Sequence, residues 1–231
     1  MNTERQLQSE IGGYISTLMR KHFGKGPTSV YVTLQSEFLT IHLRGFLAPM
    51  EKILIKQNEQ NRVIKTRDLL MRDISEDIIK TLNEIAQLEV RDIYADWSLE
   101  TETGLLIGIL KQPVPGESFD WPEDVNEKEL YGKIEEASRN VEKLPEATEI
   151  VWLSDRTIMI KRSKILVELE RELIKNGFEE ELRIAKRPLE HKAIKAVDVE
   201  AALNRKIRET FFDWDFEKDE GYMVFILESS K

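Results

Sequence analysis

No cysteine occurs in the 231 residues, which excludes disulfides, thiolate metal sites and cysteine nucleophiles and agrees with a reducing cytoplasmic compartment. No stretch approaches the roughly 18 apolar residues that a bilayer-spanning helix needs. The opening run Met1-Asn2-Thr3-Glu4-Arg5-Gln6-Leu7-Gln8 lacks the apolar segment of a signal peptide. The expectation is a cytoplasmic chain with no transmembrane segment, at most peripheral to a membrane. Basic residues are also short: Asp and Glu outnumber Lys and Arg 43 to 34, for a net charge of −9. The basic footprint of a nucleic-acid binder is therefore missing. Histidine is confined to His22, His42 and His191, with no two at metal-ligating spacing, and no serine sits in a nucleophile-elbow context. These scarcities predict no catalytic residue, no metal and no cofactor.

What is present is a globular composition, 41% apolar and 33% charged, and an internal repeat. Residues 96–110 (DWSLETETGLLIGIL) align without a gap on 213–227 (DWDFEKDEGYMVFIL), an offset of 117. Upstream, Thr28–Ile41 matches Thr148–Ile160 with one residue missing, and Glu51–Lys56 matches Glu170–Lys175. Between the copies, Lys111–Asp124 holds three prolines, one glycine and four acids, the composition of a linker. The domains are predicted as 1–111, a linker over 112–125, and a second copy over 126–231.

Each copy reads α-β-β-α-α-β-β, an α+β unit. In the first, helical spacing of Leu7, Ile11, Ile15, Leu18 and Phe23 ends at Gly24. Val30, Val32 and Leu34, then Ile41 and Leu43, alternate as a hairpin about Gln35-Ser36-Glu37. Pro49 opens a short helix to about Lys56. A long helix runs from about Arg62 to Ala86 with Ile64, Met71, Ile74, Ile78, Leu82 and Ile85 inward, and a second hairpin turns at Glu100–Thr103. In the second copy Pro188 is read as opening the long helix, whose stripe is Ala193, Val197, Leu203, Ile207 and Phe211. Four antiparallel strands cannot bury a face alone, so the long helix is expected to cover one face of the sheet. The sister copy is expected about a pseudo-two-fold axis, an intrachain pseudo-dimer open to further self-association.

Gly24-Lys25-Gly26-Pro27 is the one glycine-rich string. It follows a helix and enters a strand, the reverse of a phosphate loop, and reads as a helix C-cap and tight turn. Glu51 stands two residues after Pro49, where a glutamate caps a helix start, and nearby spacing fixes no catalytic partner for it. Arg67 falls on the apolar stripe and needs a partner there. Two readings stand: an ion pair with an acid such as Glu51, or an anion-binding arginine at the sheet surface. Asp213, Asp215, Glu217 and Asp219 invite a calcium reading, but the loop lacks the glycine and terminal glutamate of such a site and reads as a solvated hairpin edge. Trp97 and Trp214 recur at equivalent strand ends, for core packing or for an interface between copies.

Gly24-Lys-Gly-Pro-Thr-Ser-Val30, the strand pair, Leu47-Ala-Pro-Met-Glu51, Val63-Ile-Lys-Thr-Arg67 and the long helix into the last hairpin resemble the MpsC-like family, over about residues 4–111. That family is named for a sodium-translocating, membrane-potential-generating system whose other components are membrane proteins linked to inorganic-carbon uptake. The resemblance implies a non-catalytic accessory or regulatory protein that docks on a membrane ion or bicarbonate transport complex. The alternatives are a small-anion sensor using Arg67 and an uncharacterised enzyme. The chain has Ala48 where the family pattern has threonine. In the second copy Leu144-Pro-Glu-Ala147 replaces the glycine-proline motif and Arg187 stands for Arg67.

Overall fold

An apolar residue at every third or fourth position from Ile11 to Phe23 makes one side of the first helix α1 (Asn2–Phe23) a core surface, with Ile11, Ile15, Leu18, Met19 and Phe23 buried. Gly24 ends it at φ +75°, a left-handed conformation that glycine adopts without a Cβ penalty. The computed structural model describes residues 2–114 and 119–229. After α1 come β1 (Ser29–Gln35), β2 (Phe38–Arg44), α2 (Pro49–Lys56), α3 (Gln60–Ala86), β3 (Val90–Ser98) and β4 (Thr103–Leu110). The strands form one antiparallel sheet of order β1-β2-β4-β3. The first hairpin closes on Ser36 and Glu37 alone, since Gln35 pairs with Phe38; the second closes on residues 99–102.

Register explains the core. Val30, Leu43, Gly104 and Trp97 stand side by side across the four strands; Val32, Ile41, Leu106 and Ala95 form the next row. This face meets α1 and α3 in one apolar cluster. The buried stripe of α3 is Val63, Arg67, Met71, Ile74, Ile78 and Leu82. Val63 rather than the expected Ile64 leads it, four residues before Arg67, and Ile85 at its end is 36% exposed. Gly104 is required by its neighbour, because a Cβ there would lie 2.4 Å from Cε3 of the buried Trp97 indole. Gly104→Ala is expected to cost about 1–3 kcal/mol by overpacking, readable as a lowered urea midpoint at unchanged m-value.

The second unit repeats the plan with α4 (Glu127–Val141), β5 (Ala147–Ser154), β6 (Thr157–Ser163), α5 (Glu168–Lys175), α6 (Glu179–Ala196), α7 (Val199–Leu203), β7 (Ile207–Asp215) and β8 (Glu220–Leu227). Its sheet order is β5-β6-β8-β7, the same topology, over a separate apolar cluster. Trp214 pairs with Gly221 as Trp97 pairs with Gly104. Left-handed residues also recur at matching places: Gly45 and Lys164, Asn58 and Gly177, Gln87 and Asn204, Glu102 and Asp219. The chain is thus two similar α+β units in sequence, residues 1–117 and 118–231.

Several sequence readings of the second unit are corrected. Pro188 does not open the long helix but lies inside α6, which starts at Glu179. Three acids, Glu179, Glu180 and Glu181, suit the positive end of that helix, and Pro188 sits on its exposed side, where water can serve the carbonyl the ring leaves unbonded. Ile207 and Phe211 belong to β7, not to the helix. The stretch corresponding to the 27 residues of α3 is broken between α6 and α7, with Asp198 at φ +49°. In the predicted linker, Val114 donates to the Ser36 carbonyl (2.9 Å) and packs on the first core, while Trp121 and Val125 pack on the second. Residues 115–118 of that linker lie outside the described residues.

Candidate functional site

The start of α2 and the first turns of α3 converge beneath Trp97. Glu51 accepts from the Ala48 backbone N–H (2.8 Å), supplying the half of a capping box that Ala48 leaves open to it. The same carboxylate meets Arg67: Nη2 donates to Oε2 at 2.8 Å, and Nε lies 2.7 Å from Oε1. The structure therefore brings Arg67 and Glu51 together, and it surrounds the guanidinium with aromatic rings. Arg67 lies 3.9 Å from the Phe46 centroid, 4.6 Å from Trp97 and 4.7 Å from Phe23. Burial draws the Arg67 pKa below its ordinary value and Glu51 opposes this. The ring faces favour the cation as well. Nη1 has no hydrogen-bond partner among the described residues. Arg67 is 1% exposed, so the arrangement is a closed ion pair in an aromatic cage.

The other residues singled out from sequence are structural neighbours of this centre. Gly24 ends α1 one residue after Phe23, and Gly26 lies against it, since a Cβ there would approach the Ser16 carbonyl oxygen to 2.9 Å. Pro27 then leads into β1. Trp97 is a cage wall and core residue. Trp214 takes the same place in the second core.

In the second unit the residue facing the capping glutamate is Lys186, not Arg187. Lys186 Nζ donates to Glu170 Oε1 at 2.6 Å, and Glu170 accepts from the Val167 N–H at 3.0 Å, as Glu51 does from Ala48. Lys186 also lies 5.5 Å from the Trp214 ring centroid. The helix stripe gives the physical reason: Lys186 is four residues after buried Leu182, as Arg67 is after Val63, whereas Arg187 is turned a further 100° around α6. Phe46 and Met71 have Ile165 and Glu190 as counterparts, and Leu43 has Arg162. The aromatic cage is thereby exchanged for an ionic network. Arg162 Nη2 donates to Glu190 Oε1 (2.6 Å), Nη1 to Glu190 Oε2 (3.3 Å) and to Ser138 Oγ (2.9 Å). Lys186 also hydrogen-bonds Glu142, whose second oxygen is 3.6 Å from Arg162. Burial works against the Arg162 charge, but Glu190 and Glu142 outweigh it and raise its pKa.

Sequence reasoning missed Arg162, Glu190 and Glu142. The available signal was parity, since Arg162 follows Ile158 and Ile160 on the inward face of β6. The reading of the acids from β7 into its turn is also corrected, for two of the four. Asp213 and Asp219 are not on a solvated edge but buried, Asp213 against Arg183 and the Trp214 N–H (2.8 Å), Asp219 against the Leu166 N–H (2.8 Å) and Arg171 (2.5 Å).

The first unit is defined by its sheet order, its long helix bearing a buried arginine, and a capping glutamate that doubles as that arginine's partner. It is an α+β unit whose charged centre is enclosed. Residues 3–112 match the family model for the Na+-translocating membrane potential-generating system (MpsC). Over these residues the first unit is similar to the MpsC family. No curated protein and no solved structure matches the chain.

Proposed function

We propose that the chain is a non-catalytic accessory protein of a membrane-potential-generating Na+ system, docking on a membrane component of that system. The match of the first unit to the MpsC family carries this reading. Among the described residues no helix is long and apolar enough to cross a membrane, and the reading leaves ion passage to the partner. The anion-sensor alternative loses support at Arg67, because an anion would have to displace Glu51 from a guanidinium already enclosed by three rings.

The surface assigned to docking is α2. It buries none of its eight residues, and it presents Met50 (69% exposed) and Ile53 (53%) one turn apart beside Lys52 and Lys56. The second unit carries exposed Leu169 at the position corresponding to Met50. The immobilised full chain, challenged with solubilised membranes of the source organism, is expected to retain an integral membrane subunit of a Na+-translocating complex. Met50→Ser with Ile53→Ser should reduce that capture by about tenfold or more, since two anchor side chains are lost. Recovery of no such subunit by the abundant wild-type chain would overturn the proposal.

A further inference from the structure

The network inside the second unit has an odd charge count. Arg162 and Lys186 supply two positive charges, and Glu142, Glu170 and Glu190 three negative ones. Two of the three carboxylates have donors on hand for their charge. Glu190 receives both Nη groups of Arg162, and Glu170 receives Lys186 and the Val167 N–H. Glu142 is different. Its side chain is 0% exposed, and one oxygen meets Lys186. The other, Oε2, has no hydrogen-bond partner among the described residues, with the Arg162 Nη1 at 3.6 Å. A buried carboxylate oxygen without a donor costs far more charged than neutral. The mixed cluster is electrically balanced when one carboxyl is protonated.

We infer that the second unit contains a proton-binding site at Glu142, the residue that closes α4 against Arg162 of β6 and Lys186 and Glu190 of α6. Burial, with Glu190 adding to it and Arg162 and Lys186 opposing, pushes the Glu142 pKa up from the ordinary carboxyl value to about 7. The site is therefore poised to load and unload around neutrality, with a proton affinity about two orders of magnitude above that of an exposed glutamate. Unloading leaves an extra negative charge where α4 packs on α6, so proton occupancy is coupled to how firmly α4 is held. The first unit provides an internal contrast. It has Leu43 and Met71 where the second has Arg162 and Glu190, and Gly24 follows α1 where Glu142 follows α4. Among its described residues nothing equivalent is built.

The sign follows from linkage. Between the ordinary carboxyl range and about pH 7 the folded chain holds a proton that the unfolded chain has lost. Stability contributed by this group is complete below that window, falls as pH rises through it and is gone above pH 7. The test uses the full chain labelled with carbon-13 at glutamate Cδ. One glutamate carboxyl resonance is expected to titrate with a midpoint near 7, and Glu142→Gln should remove that resonance alone. The thermal midpoint of the wild type should fall between pH 5 and 7.5, and that of Glu142→Gln should not. If Glu142→Gln fails to fold, the wild-type spectrum decides by itself. Absence of any glutamate titration between pH 6 and 8 in the folded chain, or its persistence in folded Glu142→Gln, would overturn the inference.

Discussion

Arg67→Ala is expected to destabilise the first unit by about 3–5 kcal/mol, the range for removing one partner of a buried ion pair. Two losses combine. The Glu51 carboxylate, 16% exposed, keeps the Ala48 N–H but loses the Arg67 guanidinium, and the space between Phe23, Phe46 and Trp97 is left empty. Arg67→Lys should lose less, about 1–2 kcal/mol, because an ammonium reaches the capping glutamate in the second unit but lacks the flat guanidinium that three rings grip. Hydrogen exchange of peptides from α3 and β4 isolates this unit. A loss under about 1 kcal/mol for Arg67→Ala would show that the cage gains nothing from the charge.

The second large effect is in the other unit and reverses in combination. Arg162→Leu strands the buried Glu190 and leaves Glu142 with Lys186 alone, and Glu190→Met takes from Arg162 its closest carboxylate; each is expected to cost about 3–5 kcal/mol. Made together, the two substitutions install Leu and Met, the residues the first unit carries at the corresponding places, and most of the loss should return. Apolar side chains need no desolvation to be buried, whereas an ion pair must first give up its water. Urea unfolding of the two single variants and the double variant forms the cycle. A double variant as unstable as the sum of the singles would mean that the network is required by the fold and not merely tolerated by it.

How far the sequence could be read follows from the same residues. Arg67 was visible because a charge on an apolar helical stripe breaks a strong periodic pattern, and Glu51 was visible because its distance from Pro49 is local. Trp97 and Trp214 were paired by the repeat, and the element order followed with it. Phe23 and Phe46 were unreadable as cage walls: one ends a helix, the other lies in a loop, and only tertiary packing aims them at one cation. Arg162 was hidden for another reason. A charged residue near a strand end ordinarily faces water, and only its parity with Ile158 and Ile160 pointed inward. Lys186 was missed by one position because Arg187 is chemically the better match to Arg67. Side-chain direction on the helix overrode that likeness.

The interruption at Asp198 has a meaning in terms of rotation. Buried positions Val63, Arg67, Met71, Ile74 and Ile78 correspond one by one to Leu182, Lys186, Glu190, Ala193 and Val197, but after Ile78 the next, Leu82, corresponds to Val199. The second unit is two residues shorter there. In an unbroken helix two missing residues would swing everything beyond them by about 200° and shorten the axis by about 3 Å, carrying the next apolar residues to the far side. A single left-handed residue between α6 and α7 cancels that rotation and returns Val199, Ala202 and Leu203 to the core. This joint is the place along the long helix where chain length is negotiable, while upstream of Val197 every insertion or deletion would turn Lys186 and Glu190 away from the partners that hold them.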